Sequence, residues 1–175
     1  MKPGRPAELS ASQPGTLDRA LAVVRFLRAG CPWDAAQTPR SLTPYLLEES
    51  LELADAILED AEDDKLQSEL GDLLLNLAFQ IVLAEERQAF VAQDVVTTLE
   101  EKMRRRHPHL YGDAEERPHW EAHKASERAS DDVFHGLARR LDPLSRAQRV
   151  QDRAAGVGFD WDHARDAFQK VHEEV

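Results

Sequence analysis

The sequence predicts an all-α protein, and three observations carry that prediction. Apolar residues recur at helical spacing almost throughout residues 16–175, no segment alternates as a strand does, and β-branched residues are sparse. Turn residues then divide the chain into helices expected at roughly 16–29, 43–60, 64–88 and 95–106, with shorter pieces at 118–130, 143–155 and 162–174.

Composition and charge restrict the classes of function. The chain of 175 residues has a formal net charge of −11, which argues against binding to nucleic acid or to an anionic membrane. The longest apolar run, at 73–84, is too short and too polar to cross a bilayer. A single cysteine, Cys31, excludes an intramolecular disulfide framework and fits a cytoplasmic location. Residues 1–15 lack the apolar core of a secretion signal and are predicted to be a disordered leader.

The helix at 43–60 carries leucines on one broad arc and acidic residues on the other. Glu48 and Glu52 lie on the polar side, whereas Glu49 lies at the seam beside the apolar arc. Glu49 and Glu52 are three residues apart and therefore neighbours on the helix surface. Taken alone, this pattern is typical of a solvated helix face.

The helix at 64–88 is apolar nearly all round, which is typical of a buried helix, yet it carries one narrow polar stripe. Glu69, Asp72, Asn76 and Gln80 fall within an arc of about 80°. A tight turn would make the two helices antiparallel neighbours and bring their carboxylate pairs together. Carboxylates that converge in a leucine-lined bundle repel one another unless a cation neutralises them, and Mg²⁺ or Mn²⁺ suits an all-oxygen site. Residues 46–72 hold eleven acidic residues and one base, Lys65.

Basic and aromatic residues follow in the second half of the chain. Lys102 and Arg106 share a helix face, either as a solvated basic helix end or as a clamp for phosphate groups. Trp120 and Lys124 are likewise four residues apart, an arrangement that fits mere packing or the closure of a nucleotide site. His119 and His123 have zinc spacing, but HWEAH lacks the glutamate placement of HExxH, so zinc is disfavoured.

Five segments together resemble one known family. CPWDAAQT, YLLEESLELADAI, SELGDLLLNLAFQ, EKMRRRHPHLYGD and HWEAHK, in this order, are similar to the MazG nucleoside triphosphate pyrophosphohydrolases, over roughly residues 17–175. The resemblance implies Mg²⁺-dependent hydrolysis of a nucleoside triphosphate to a monophosphate and pyrophosphate, and it suggests a role in clearing damaged nucleotides. It also implies an intertwined homodimer with a four-helix-bundle-like catalytic domain at 16–130. Residues 131–175 would be a helical extension similar to the linker between two family repeats.

The resemblance also assigns roles to particular residues. The metal ligands would be Glu49, Glu52, Glu69 and Asp72. Glu48 or Glu52 would act as the catalytic base. The substrate-binding residues would be Lys102, Arg105, Arg106, Lys124, Trp120 and Asn76, with Trp33 and Gln37 for the base or ribose.

Two alternatives to this function stay open. One is a narrower pyrophosphohydrolase that acts on dUTP, dCTP or phosphoribosyl-ATP. The other is a catalytically inactive acidic helical module that dimerises or binds a protein partner. The terminal QKVHEEV resembles the start of a second catalytic motif without its third acid, so any activity is expected to come from the first repeat.

Overall fold

A computed structural model of the chain describes residues 18–111, 132–161 and 163–174. These residues form helices and no strands, which confirms the all-α prediction. The helices are α1 (Arg19–Gly30), α2 (Pro32–Ala35), α3 (Thr43–Leu58), α4 (Asp63–Glu86), α5 (Ala92–Arg106), α6 (Pro108–Tyr111), α7 (Pro143–Ala155) and α8 (Ala164–Glu174). The helix predicted at 118–130, together with His119 and His123, lies outside the described residues.

The chain divides into two compact units, and the division falls within α5 after Leu99. In the first unit α4 is the central helix, because both α1 and α3 pack against it, and the short α2 packs on α1. The buried core lies mainly between α1 and α4 and consists of Val24, Leu42, Ala78, Phe79, Val82 and Leu83. Burial of this apolar surface is the main force that holds the three long helices together.

The connection between α3 and α4 is short enough to make them antiparallel neighbours. α3 ends at Leu58, and Asp60 adopts a positive φ of 50° that reverses the chain. Ala61 donates a backbone hydrogen bond of 2.9 Å to the carbonyl oxygen of Ala56, which closes the helix end. Two acidic residues, Asp63 and Asp64, occupy the first turn of α4, where the helix dipole favours negative charge.

Part of the leucine arc of α3 is exposed in the structure. Leu47, Leu51 and Leu58 share one stripe of the helix and are 44%, 65% and 81% exposed. The face that packs against α4 is instead centred on Ala56, which is 2% exposed. Glu49 is on this inner side, so its carboxylate faces α4.

The second unit contains the predicted C-terminal helices at nearly the expected positions. Asp142 caps α7 by accepting hydrogen bonds of 3.0 Å from the backbone N–H groups of Leu144 and Ser145. Arg153 on α7 donates hydrogen bonds to the carbonyl oxygens of Val133 and His135, at 3.2 and 2.6 Å. Within the parts of the chain that the structure describes, no helix combines the length and apolar character needed to cross a membrane.

Candidate metal centre and substrate site

Three carboxylates from two helices meet on the face where α3 packs against α4. Glu49 comes from α3, and Glu69 and Asp72 come from neighbouring turns of α4. One carboxylate oxygen from each lies within 4.8 Å of the other two. The carboxylates of Glu49 and Glu69 are half-buried, and that of Asp72 is exposed. The antiparallel pairing of α3 and α4 therefore brings together three of the four residues expected to bind metal.

The electrostatics of the cluster are those of uncompensated negative charge. Burial raises the pKa of Glu49 above its usual value of 4.5, and the negative charges of four nearby carboxylates raise it further. In decreasing order, these charges belong to Asp72, Glu52, Glu69 and Glu48. All four charges that raise this pKa are negative, so a bound cation would favour the ionised form of Glu49.

The donor set fits a hard divalent cation. All donor atoms are carboxylate oxygens, which Mg²⁺, Mn²⁺ and Ca²⁺ prefer over the nitrogen and sulfur ligands of softer metals. Oxygens on opposite sides of one Mg²⁺ would be about 4.2 Å apart, given Mg–O distances of about 2.1 Å. The three oxygens lie within 4.8 Å of one another, so a small inward shift of the side chains would bring them to this spacing.

Glu52 and Glu48 lie beside this cluster but not within it. Both side chains are exposed on α3, and neither belongs to the group of three whose oxygens lie within 4.8 Å. Their charges nevertheless reach Glu49, because both contribute to its raised pKa. This position suits a group that approaches a substrate or a bound water from the edge of the cluster.

Asn76, the third member of the polar stripe on α4, is buried. The residue is only 7% exposed, and its side-chain Nδ2 donates a hydrogen bond of 3.2 Å to the carbonyl oxygen of Asp72. This contact links Asn76 to the helical turn that carries Asp72. Gln80, one turn further, is half-buried.

An aromatic pair flanks the acidic cluster on α3. The ring of Trp33, on α2, meets the ring of Tyr45 edge-on with a centroid distance of 6.1 Å. Tyr45 precedes Glu49 by one helical turn, and both rings are about half exposed. Sequence reasoning selected Trp33 but missed Tyr45, although the four-residue spacing from Tyr45 to Glu49 could have signalled it.

Gln37 has a defined place in the loop that joins α2 to α3. Its amide nitrogen donates to the carbonyl oxygen of Trp33 at 2.9 Å, and its amide oxygen accepts from the Ser41 hydroxyl at 2.8 Å. Ser41 and Thr38 also exchange hydrogen bonds of 2.9 and 3.1 Å. Gln37 therefore shapes the loop that carries Trp33.

Three of the remaining predicted substrate residues lie on α5. Lys102, Arg105 and Arg106 are on the last turns of α5, in the second unit, where Lys102 and Arg106 are half-buried and Arg105 is exposed. Nearby, the guanidinium of Arg104 lies 4.7 Å from the centre of the Tyr111 ring. Trp120 and Lys124 lie outside the described residues.

Comparison of the sequence with known proteins identifies the family of the chain. A family model described as the MazG nucleotide pyrophosphohydrolase domain matches residues 37–111, which include all the carboxylates of the cluster. The nucleoside triphosphate pyrophosphohydrolase/pyrophosphatase MazG of Thermotoga maritima is 42% identical over 164 residues, covering 90% of this chain and 64% of that protein. The chain belongs to the MazG family.

Other MazG relatives show the same extent of similarity. The nucleoside triphosphate pyrophosphohydrolase of Escherichia coli K12 is 39% identical over 171 residues, covering 91% of this chain and 65% of the relative. A protein of that name from Mycobacterium tuberculosis is 39% identical over 147 residues, covering 80% of this chain and 45% of the relative. The chain thus spans just under two thirds of the length of its first two MazG relatives.

Proposed function

We propose that the chain hydrolyses nucleoside triphosphates to nucleoside monophosphates and pyrophosphate in a reaction that depends on Mg²⁺. The observation that carries this proposal is the convergence of Glu49, Glu69 and Asp72, whose like charges a cation would neutralise. The names of the MazG relatives support the activity. Mg²⁺ is the natural ion for an all-carboxylate site that acts on a polyphosphate, and Mn²⁺ could replace it. A role in clearing damaged nucleotides is part of the same proposal.

The mechanism assigns distinct tasks to the carboxylates. Glu49, Glu69 and Asp72 would hold the cation, with Glu52 completing the set from the adjacent turn of α3. When bound, the divalent ion supplies Lewis-acid activation and neutralises phosphate charge. Glu52 or Glu48, exposed at the edge of the cluster, would accept the proton of the attacking water.

The substrate would be held by groups outside the acidic cluster. Lys102, Arg105, Arg106 and Lys124 are proposed to offset charge on the phosphates, because guanidinium and ammonium groups bind phosphate oxygens well. The half-exposed rings of Trp33 and Tyr45 offer a stacking surface for a nucleobase one helical turn from Glu49. Asn76, Gln37 and Trp120 complete the proposed set.

A homodimer is the proposed assembly. The stripe of Leu47, Leu51 and Leu58 supports it, because an exposed row of leucines along a helix is costly in water. Leu70 and Leu77 on α4 are also about half exposed. Three other expectations also stay predictions: an intertwined four-helix-bundle core, domain boundaries at 15/16 and 130/131, and a cytoplasmic location.

Light scattering coupled to size-exclusion chromatography tests the homodimer. The wild type should have twice the mass of one chain, and Leu51→Glu should shift it towards the monomer. Leu144→Glu is the matched control, because Leu144 on α7 is also an exposed leucine, at 83% against 65% for Leu51. A monomeric wild type would contradict the proposal.

Pyrophosphate release tests the activity directly. The four common ribonucleoside and the four common deoxyribonucleoside triphosphates would be incubated with Mg²⁺ or with EDTA, using the wild type and Glu52→Gln. We expect release that requires the metal and that Glu52→Gln abolishes. Glu59→Gln is the matched control, since it removes an exposed carboxylate directly after the end of α3 and should leave the rate unchanged.

The same experiment separates the alternatives. Release from dUTP or dCTP alone, or from phosphoribosyl-ATP in an extended panel, would indicate a narrower pyrophosphohydrolase. Absence of release from every substrate would contradict the proposed activity and favour the inactive module. In that case Glu52→Gln should leave partner binding intact.

A further inference from the structure

Arg28 on α1 makes an unusual number of directed contacts for a side chain outside the acidic cluster. Its Nε and Nη2 atoms donate to the two carboxylate oxygens of Glu86 at 2.6 and 2.7 Å. Its Nη1 atom donates to the carbonyl oxygens of Asp34, at 2.6 Å, and Gln37, at 3.3 Å. The side chain is only 12% exposed. A single guanidinium thus fastens the α2 segment to both α1 and α4.

The α2 segment needs such an anchor. α2 is a single turn of four residues, and a helix of this length has little stability of its own. The hydrogen bonds among Gln37, Thr38 and Ser41 shape the following loop internally but do not attach it to a long helix. Arg28 supplies an attachment to the long helices.

The position of α2 matters because of what it carries. Trp33 lies between Pro32 and Asp34, and its ring contacts Tyr45, one turn before Glu49. The carbonyl of Asp34, which Arg28 holds, belongs to the residue directly after Trp33. Because Trp33 and Asp34 are adjacent in one helical turn, a displacement of this carbonyl would shift the Trp33 ring relative to Tyr45.

We propose that Arg28, oriented by Glu86, is a positioning residue that fixes Trp33 against Tyr45 and so sets the affinity of the site for its nucleotide. The inference rests on the proposed function for its kinetic consequences. Arg28 would act through the loop, and it touches no reacting atom. Because a misplaced Trp33 would weaken binding of substrate and transition state equally, the effect is expected in KM rather than in kcat.

The neighbouring pair Arg25–Glu85 provides a matched control. Arg25 also reaches from α1 to α4, where its Nη2 lies 2.6 Å from Oε2 of Glu85. None of the hydrogen bonds described for Arg25 goes to the α2 segment. Arg25→Gln therefore removes a bond between the same helices while leaving the loop anchored.

Steady-state kinetics of Arg28→Gln, Arg28→Lys and Arg25→Gln separate positioning from stability. Arg28→Gln should raise KM for the nucleoside triphosphate about tenfold, equivalent to about 1.4 kcal/mol, with kcat changed less than about threefold. Arg28→Lys keeps the charge and one hydrogen bond and should recover part of the loss, and Arg25→Gln should leave KM unchanged. Equal KM changes in Arg28→Gln and Arg25→Gln, or none in either, would overturn the proposal.

A second measurement does not depend on catalysis. Trp33 is one of three tryptophans, so Trp120→Phe/Trp161→Phe leaves it as the single reporter in the full chain. Adding Arg28→Gln should increase quenching of Trp33 fluorescence by acrylamide, whereas adding Arg25→Gln should not. Quenching that Arg28→Gln leaves unchanged would overturn the positioning role. If the wild type releases no pyrophosphate, the proposed function fails, and this measurement still decides the role of Arg28.

Discussion

The acidic side chains at the two ends of α4 have opposite electrostatic surroundings. Near its C-terminus, Glu85 and Glu86 each pair with an arginine of α1 at 2.6 Å. The hydrogen bond from Arg25 lowers the pKa of Glu85 below its usual 4.5 despite the opposing effect of burial. Near the N-terminus of α4, the carboxylates of Glu69 and Asp72 lie close to that of Glu49. Burial and the neighbouring carboxylates raise the pKa of Glu49.

The difference between these regions lies in the source of the balancing charge. At the C-terminal end of α4, Glu85 and Glu86 are each paired with an arginine of α1, so the chain itself neutralises their charges. At the N-terminal end, every charge that shifts the pKa of Glu49 is negative, and a bound cation would supply the balancing charge. The contrast thus marks the acids at the N-terminal end of α4, rather than those at its C-terminal end, as the candidate metal ligands.

The largest expected effect comes from removing one carboxylate at each end. Asp72→Asn should lower kcat by about 10²-fold or more, the scale on which loss of one electrostatic group in a catalytic site acts. Glu85→Gln, three to four turns further along α4, should leave kcat within about twofold, because among the described residues the Glu85 carboxylate binds only Arg25 and the backbone N–H of Ala92, and an ion pair of this kind is worth about 1 kcal/mol or less. Initial rates of pyrophosphate release at saturating substrate measure both. Similar losses in the two variants would erase the proposed distinction.

The response of thermal stability to Mg²⁺ should separate the two ends next. At a Mg²⁺ concentration about 100 times Kd, binding to the folded state alone adds about 2.7 kcal/mol. For a chain of this size that corresponds to a rise in Tm of roughly 5–10 °C. Glu49→Gln should abolish the rise and Glu85→Gln should retain it, as measured by thermal unfolding with Mg²⁺ and with EDTA. A wild type that Mg²⁺ does not stabilise would contradict the metal site.

Helical periodicity was sufficient to predict the fold class and the main helices to within a few residues. The spacing of the acids on the two helices predicted a set of four, of which Glu49, Glu69 and Asp72 meet and Glu52 lies outside the group. Periodicity could not decide which face of α3 is buried within the chain. Ala56 forms the buried face, and the leucine stripe is exposed, because a small residue lets two helices approach closely.

Contacts between residues distant in sequence were beyond such reasoning. Arg28 and Glu86 are separated by 58 positions, and no local spacing links them. Trp33 was selected through family resemblance alone, and its packing partner Tyr45 was not. Both contacts depend on how α1, α2 and α3 are arranged around α4, which local patterns do not encode.

The pH dependence of stability should have opposite signs at the two ends. In the metal-free protein the raised pKa of Glu49 means that the folded state binds its proton more tightly, so this group destabilises the fold increasingly as pH rises above 4.5. The lowered pKa of Glu85 means that its stabilisation is present above 4.5 and is lost as pH falls through the lowered value.

Urea unfolding in EDTA from acidic to neutral pH measures both contributions. Glu49→Gln should be more stable than the wild type at neutral pH, and the gain should vanish towards low pH. Glu85→Gln should be less stable at neutral pH and approach the wild type in acid. The differences should stay below about 1 kcal/mol, because solvent screens groups that are partly exposed. A metal-free Glu49→Gln that is less stable at neutral pH would refute the repulsion.

The smallest expected effect concerns Gly71, which lies between Glu69 and Asp72 in α4. A glycine inside a helix costs about 1 kcal/mol relative to alanine, and an alanine Cβ at this position would meet no atom within 4 Å. Gly71→Ala should therefore raise the free energy of unfolding by about 0.5–1 kcal/mol in the metal-free chain. Ser68→Ala, one turn earlier on an exposed position of the same helix, is the control and should give a smaller gain. A loss of stability in Gly71→Ala alone would mean that a second chain closes on this face, and the acidic end of α4 would then be part of an interface as well as a site.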